Sequence, residues 1–204
     1  MRTKLILTIV AVSLMVCGCS KKQGTAATPK DAMSSFLEGM LEFDKAKFMG
    51  SLTGSKSEMK AASVFMDYMI ALKDFKQAVI DKYGTAGWAH FEKQGGAKLS
   101  LNMTDNRDKL DSAKVEINGD KAVCTVPGED KPVNLLCRNG LWYVNVSDVV
   151  TTGGASLEKF IETWTKMAEL IKSKQRRIGQ PGVTAQSLDM ELGNEMVPIL
   201  MGNR

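Results

Sequence analysis

From Ala113 to Val146, apolar and polar residues alternate over four short runs, AKVEIN, KAVCTV, VNLLCR and LWYVNV. Asn118-Gly119 and Asn139-Gly140 separate the outer pairs, and Asn-Gly accepts the positive φ of a tight hairpin turn. A third turn over Pro127 to Pro132 closes the middle pair. With two-residue turns, Val115 lies opposite Ala122 and Cys137 opposite Trp142. If the middle loop is Glu129 to Pro132, Cys124 lies opposite Cys137. One face then collects Ala113, Val115, Ile117, Ala122, Cys124, Val126, Val133, Leu135, Cys137, Trp142, Val144 and Val146, all apolar or cysteine. A one-residue slip in any strand would destroy that agreement. The other face mixes Lys121, Asn134 and Asn145 with Val123, Leu136, Leu141 and Tyr143, so it is at least partly wet.

Upstream, the period changes to that of helices. Pro29 opens one with Asp31 in its first turn, and Met33, Phe36, Leu37 and Met40 follow helical spacing. It breaks between Phe48 and Gly54. A second, capped by Ser55 or Ser57, carries a wide apolar stripe from Ala61 to Val79 and stops at Tyr83-Gly84. Thr85 to Gln94 reads as a short helix or turn, and Leu99, Leu101 and Met103 alternate as one further strand would. After the meander, Ser156 caps a helix to about Lys174 with its stripe on Leu157, Phe160, Ile161, Trp164 and Met167. Lys172, Lys174, Arg176 and Arg177 gather at its end, where a solvated cluster suits the helix dipole. Thr184 opens a last helix, limited by Pro198. These two helices are expected to cover the wetter sheet face or to make a homodimer.

The reading is therefore α+β: N-terminal helices packed on a curved antiparallel sheet, a four-stranded meander with room for one more strand, then C-terminal helices. Residues 29–147 form the main domain, and 148–204 are a helical extension packed on it.

The first residues read differently. Arg2 and Lys4 precede an apolar run from Leu5 to Val16, the length of a signal peptide and short for a permanent membrane span. The run ends in Val16-Cys17-Gly18-Cys19, which resembles a bacterial lipobox. On that resemblance residues 1–18 are a signal peptide and Cys19 is acylated and becomes the new N-terminus, with Cys17 the alternative. Acyl chains contribute about 0.8 kcal/mol per buried methylene, enough for stable anchoring when two or three share one cysteine. Ser20 rather than Asp follows Cys19, which points to the outer membrane facing the periplasm. Residues 19–28 are small and polar, as a tether would be.

The 204 residues suit one domain with an appendage. Without Arg2 and Lys4, 27 Lys and Arg against 23 Asp and Glu become 25 against 23, too balanced to argue for nucleic acid. Cys124 and Cys137 would form a cross-strand disulfide in an oxidising compartment; two free buried thiols are the other reading. His90 is the single histidine and sits beside Trp88 and Phe91, a setting more often structural than catalytic. Zinc spacing, a Walker loop, a dinucleotide fingerprint and a nucleophile elbow are all missing, so the sequence calls for no metal, cofactor or catalytic residue.

The opening helix DAMSSFLEGMLEFDKAKF, the hairpin VEINGDKAVCTV and the final pair VNLLCRNGLWYVN resemble the cone-shaped α+β domain of the nuclear transport factor 2-like superfamily, which includes ketosteroid isomerase and scytalone dehydratase. The resemblance implies a cavity between helices and concave sheet, lined here by Leu135 and Trp142 from the sheet and Tyr68 and His90 from the helices. The aliphatic inner face suits an apolar small molecule or an envelope protein partner better than catalysis. An isomerase- or dehydratase-type enzyme is the alternative, and fold alone does not decide it.

Overall fold

The α+β character is present: helices and a five-stranded sheet share one apolar core. The computed structural model describes residues 26–93, 99, 107–129, 131–150 and 156–202. In order come α1 (Pro29–Leu41), α2 (Lys45–Gly50), β1 (Leu52–Thr53), α3 (Lys56–Lys93), β2 (Lys114–Asn118), β3 (Lys121–Thr125), β4 (Val133–Arg138), β5 (Leu141–Asn145), α4 (Val146–Val149), α5 (Leu157–Gln175) and α6 (Ala185–Leu200). None of the described helices is long and apolar enough to cross a membrane.

The N-terminal half is set by caps and breaks. Thr28 accepts a hydrogen bond from the Asp31 amide, and Asp31 accepts one from the Thr28 amide, a reciprocal cap worth about 1 kcal/mol. Helix α1 ends sooner than its apolar stripe suggests. Phe43 adopts φ 57°, and Asp44 then caps α2 through the Lys47 amide at 2.9 Å. Two short helices thus replace the single long one expected. They cross so closely that a Cβ on Gly39 would lie 2.5 Å from the Phe48 nitrogen.

Helix α3 is two segments joined at Gly84, whose φ of 72° and ψ of 177° only glycine adopts readily. On a straight helix, Phe75 and Phe91 would be about 24 Å apart. Their rings are 5.3 Å apart, and Trp88 stacks on Phe91 at 5.3 Å, so the chain doubles back at Gly84. The stop that Tyr83-Gly84 implies is real.

The sheet has order β1-β5-β4-β3-β2. Its meander alternates as expected, with Ala122, Cys124, Leu135, Trp142 and Val144 all buried. Ile117 breaks the pattern at 59% exposure, on β2 at the edge of the sheet. The fifth strand is not the one the sequence suggests. Leu99 is buried outside any strand, and residues 100–106 lie outside the described part. Instead β1 pairs in parallel with β5, Leu52 against Val144, so the sheet is mixed rather than antiparallel.

Two registers also differ. In β2–β3, Val115 faces Cys124, not Ala122, because the two-residue turn is Gly119-Asp120, with glycine at the first central position, φ 62°. The shift of two residues preserves the faces. The β4–β5 turn at Asn139 (φ 52°) and Gly140 (φ 77°) is as expected, with Cys137 against Trp142.

Between β3 and β4 the connection is longer than four residues. Cys124 faces Val133, and Cys137 lies four residues further along β4, about 13 Å away. A disulfide needs Cα atoms about 4–7 Å apart. Both thiols are free, Cys124 fully buried and Cys137 half-buried, which corrects the expected cross-strand pairing.

Helices α5 and α6 pack on α3 and on each other, not over the wetter sheet face. Trp164 of α5 sits 4.7 Å from Tyr68 and 5.6 Å from Phe65. Tyr83 donates to the Val183 carbonyl at 3.0 Å and accepts from the Gly179 amide at 3.2 Å, tying α3 to the α5–α6 turn. Pro198 lies inside α6 rather than ending it; so near the C-terminus it interrupts little of the helix's hydrogen bonding. Ala26, expected within the tether, is already part of the fold: its carbonyl accepts from the Trp142 amide at 2.9 Å.

Candidate functional site

The residues singled out from the sequence do not meet in one cavity. Leu135 and Trp142 are buried on the inner sheet face, in the common core. Tyr68 lies between α3 and α5, and burial pushes its hydroxyl up to about 12. His90 is exposed on the returning segment of α3. Cys17, Cys19 and the leader lie outside the described residues. Burial also pushes the Cys124 thiol up, with Lys30 pulling weakly the other way, which makes it a poor nucleophile.

The more telling concavity is on the opposite face of the sheet. There the register places Glu116, Val123, Asn134 and Asn145 in one row across β2, β3, β4 and β5. A second row, two residues along, runs Asn118, Lys121, Leu136. A groove of about 690 Å³ is lined by both rows and bordered by Ile117, Ala122 and Leu135, whose side chains belong to the inner face. Three inter-strand steps make it about 14 Å long, and the row spacing makes it about 7 Å wide. The volume falls in the range of small-molecule sites, while the lining is more polar than is usual for them.

Its chemistry is graded. Val123 and Leu136, both half-exposed, give an aliphatic middle. At the hairpin end stand Lys121 and Asn118, neither with a side-chain partner among the described residues. Glu116 is at the same end, but its carboxylate is 2.6 Å from the Lys114 ammonium, which holds it below the usual carboxylate range by hydrogen bond and charge. At the other end Asp148 of α4 accepts from the Asn134 backbone amide at 2.6 Å and from its side-chain amide at 3.0 Å. The Asn134 Oδ1 therefore remains as an acceptor, with the Asp148 carboxylate behind it. Asn145 Oδ1 caps α4 through the Ser147 amide.

Smaller clefts occur along α5 and α6. One of about 310 Å³ is lined by Ser156, Lys159, Glu162, Lys166 and Ile199, but its Glu162 and Lys166 already pair at 2.7 Å. Among the described residues no group of three or more His, Cys, Asp or Glu is placed to hold a metal.

The groove was visible in the sequence only as the mixed, wetter sheet face. What the sequence did not carry was the packing of α5 and α6 on α3, which leaves that face open. No protein-family model, no curated protein and no solved structure matches this chain.

Proposed function

We propose that this protein is a lipid-anchored component of the bacterial cell envelope that acts by binding rather than catalysis, through the open face of its sheet. The observation that carries the binding half is the groove itself: an aliphatic floor between amide and ammonium groups, on the face that α5 and α6 leave open. Such a lining recognises by contact and hydrogen bonding. The envelope half rests on the sequence: the basic start, the apolar run and the Val16-Cys17-Gly18-Cys19 ending, with acyl chains on Cys19 or, alternatively, Cys17. Outer-membrane placement facing the periplasm is the corresponding location. The likeness to nuclear transport factor 2-like domains is kept as an arrangement of helices beside a meander, without its inner cavity as the site.

Two experiments test the proposal. Cys19→Ala should move the protein from the membrane to the soluble fraction; membrane-bound, acylated protein in that variant would transfer the anchor to Cys17 or end the lipoprotein reading. Leu136→Arg, on a half-exposed position, should leave the fold intact and fill the groove. If that variant binds the protein's ligands as well as the parent does, this face is not the binding site.

A further inference from the structure

We infer that the groove takes a short free peptide of two or three residues, lying diagonally across β3 and β4 with its carboxylate at Lys121 and its ammonium at Asn134 and Asp148. This rests on the proposed binding role of the open sheet face and adds the class of ligand and its direction.

Length comes first. Lys121 pairs with Leu136 and Val123 with Asn134. One inter-strand step and two residues therefore separate Lys121 from Asn134, about 8 Å, the length of two or three extended residues. Charge comes second. Lys121 is exposed, and no carboxylate among the described residues pairs with it. The one carboxylate beside it in the lining, Glu116, is held by Lys114. This end therefore favours an anion, and Asn118 adds an amide donor. At the far end, Asn134 donates its backbone amide and one side-chain N–H to the same Asp148 oxygen, which leaves the Asn134 Oδ1 and the negative charge of Asp148 at this end, beside one remaining N–H. That end favours a cation. The middle, Val123 and Leu136, suits an aliphatic side chain. A zwitterion with an apolar centre matches all three zones. A neutral lipid would leave both polar ends unmatched, and a dianion would meet Asp148.

The test is titration calorimetry on the full chain in lipid nanodiscs. The probes are the tripeptide Ala-Leu-Ala, its C-terminal amide and its N-acetyl form. The free peptide should bind, and each blocked form should bind about ten-fold more weakly or worse, the worth of one charge-assisted hydrogen bond. Lys121→Gln should weaken the free peptide by about the same factor and erase the difference from its amide. Leu136→Arg should abolish binding of all three. Equal affinity for free and amidated peptide, with binding still lost in Leu136→Arg, overturns the ligand assignment while leaving the groove as a binding site. Binding unaffected by Leu136→Arg overturns both. If no peptide binds at millimolar concentration the assignment is wrong, and hydrogen exchange of the chain in membranes from producing cells then judges the broader reading. Protection of β3 and β4 beyond that seen in nanodiscs means another ligand occupies the groove.

Discussion

Gly39 has no side chain because Phe48 leaves none room. Any Cβ there would meet the Phe48 backbone at 2.5 and 2.7 Å, so α1 and α2 would have to separate. Gly39→Ala is expected to cost about 1–3 kcal/mol, read as a lowered midpoint in urea. A variant as stable as the parent would mean that the two helices cross less tightly. Gly84 is constrained for a different reason. Open space surrounds it, but its backbone angles penalise any Cβ, so Gly84→Ala should destabilise by about 1–3 kcal/mol without steric overlap. Tyr68 should behave in the opposite sense. Its ring is 8% exposed against Trp164, and its hydroxyl makes no hydrogen bond among the described residues. A buried hydroxyl without a partner costs free energy, so Tyr68→Phe should hold or raise the thermal midpoint. A marked loss of stability would show that the hydroxyl has a structural partner.

Helix α6 is held by charge as well as by apolar contact. Lys174 looked like part of a solvated basic cluster, but its side chain is only 8% exposed and reaches Glu195 at 2.5 Å and Glu191 at 3.0 Å, with Arg177 also on Glu191. Burial alone would push the ammonium down; its hydrogen bonds to the two glutamates outweigh that and hold it above its ordinary 10.5. Burial likewise opposes the Glu191 carboxylate, but Lys174 and Arg177 hold it below its ordinary 4.5. Because the Glu191 value is depressed, its contribution is present above pH 4.5 and is lost as pH falls through the lower folded value. The Lys174 value is raised, so its contribution is complete below pH 10.5 and is lost as pH rises through the higher folded value. Lys174→Met should therefore cost roughly 1–3 kcal/mol at neutral pH and flatten both limbs of the stability profile. An unchanged profile would remove the clamp.

The strands show why some of this was readable in advance and some was not. Side-chain alternation has period two, so the faces of β2 to β5 followed from the sequence even where the β2–β3 register was off by two residues. Loop length leaves no such mark. The β3–β4 connection had to be guessed, and with it fell the pairing of Cys124 and Cys137. A chain carrying Cys17→Ala and Cys19→Ala, unfolded without reductant, should titrate two thiols. None would restore the disulfide and contradict the β3–β4 register.

Across the molecule, the division of labour between faces was also beyond the sequence. The stripes of α5 and α6 say that each helix buries one side, not which surface receives it. Trp164 could have met the sheet; it meets Phe65 and Tyr68. The parallel strand β1 was missed because two residues, Leu52 and Thr53, carry no period at all. The packing of α5 and α6 on α3 moves the candidate site from the inner cavity to the outer face. The caps at Ser156 and Thr184 and the stop at Gly84 were legible because each depends on one residue and its immediate neighbours.

The bridge from Ala26 to Trp142 has a mechanical consequence. Tension on the chain from its N-terminal side enters the fold at Ala26 and is borne by one backbone hydrogen bond to β5, beside the junction with α1. A single bond pulled at its end peels rather than shears, so this residue yields first and lengthens the leash while the sheet behind it stays whole. Such a joint would act as a small force-limited release, read in single-molecule pulling from the N-terminal side as a short lengthening before the sheet unfolds.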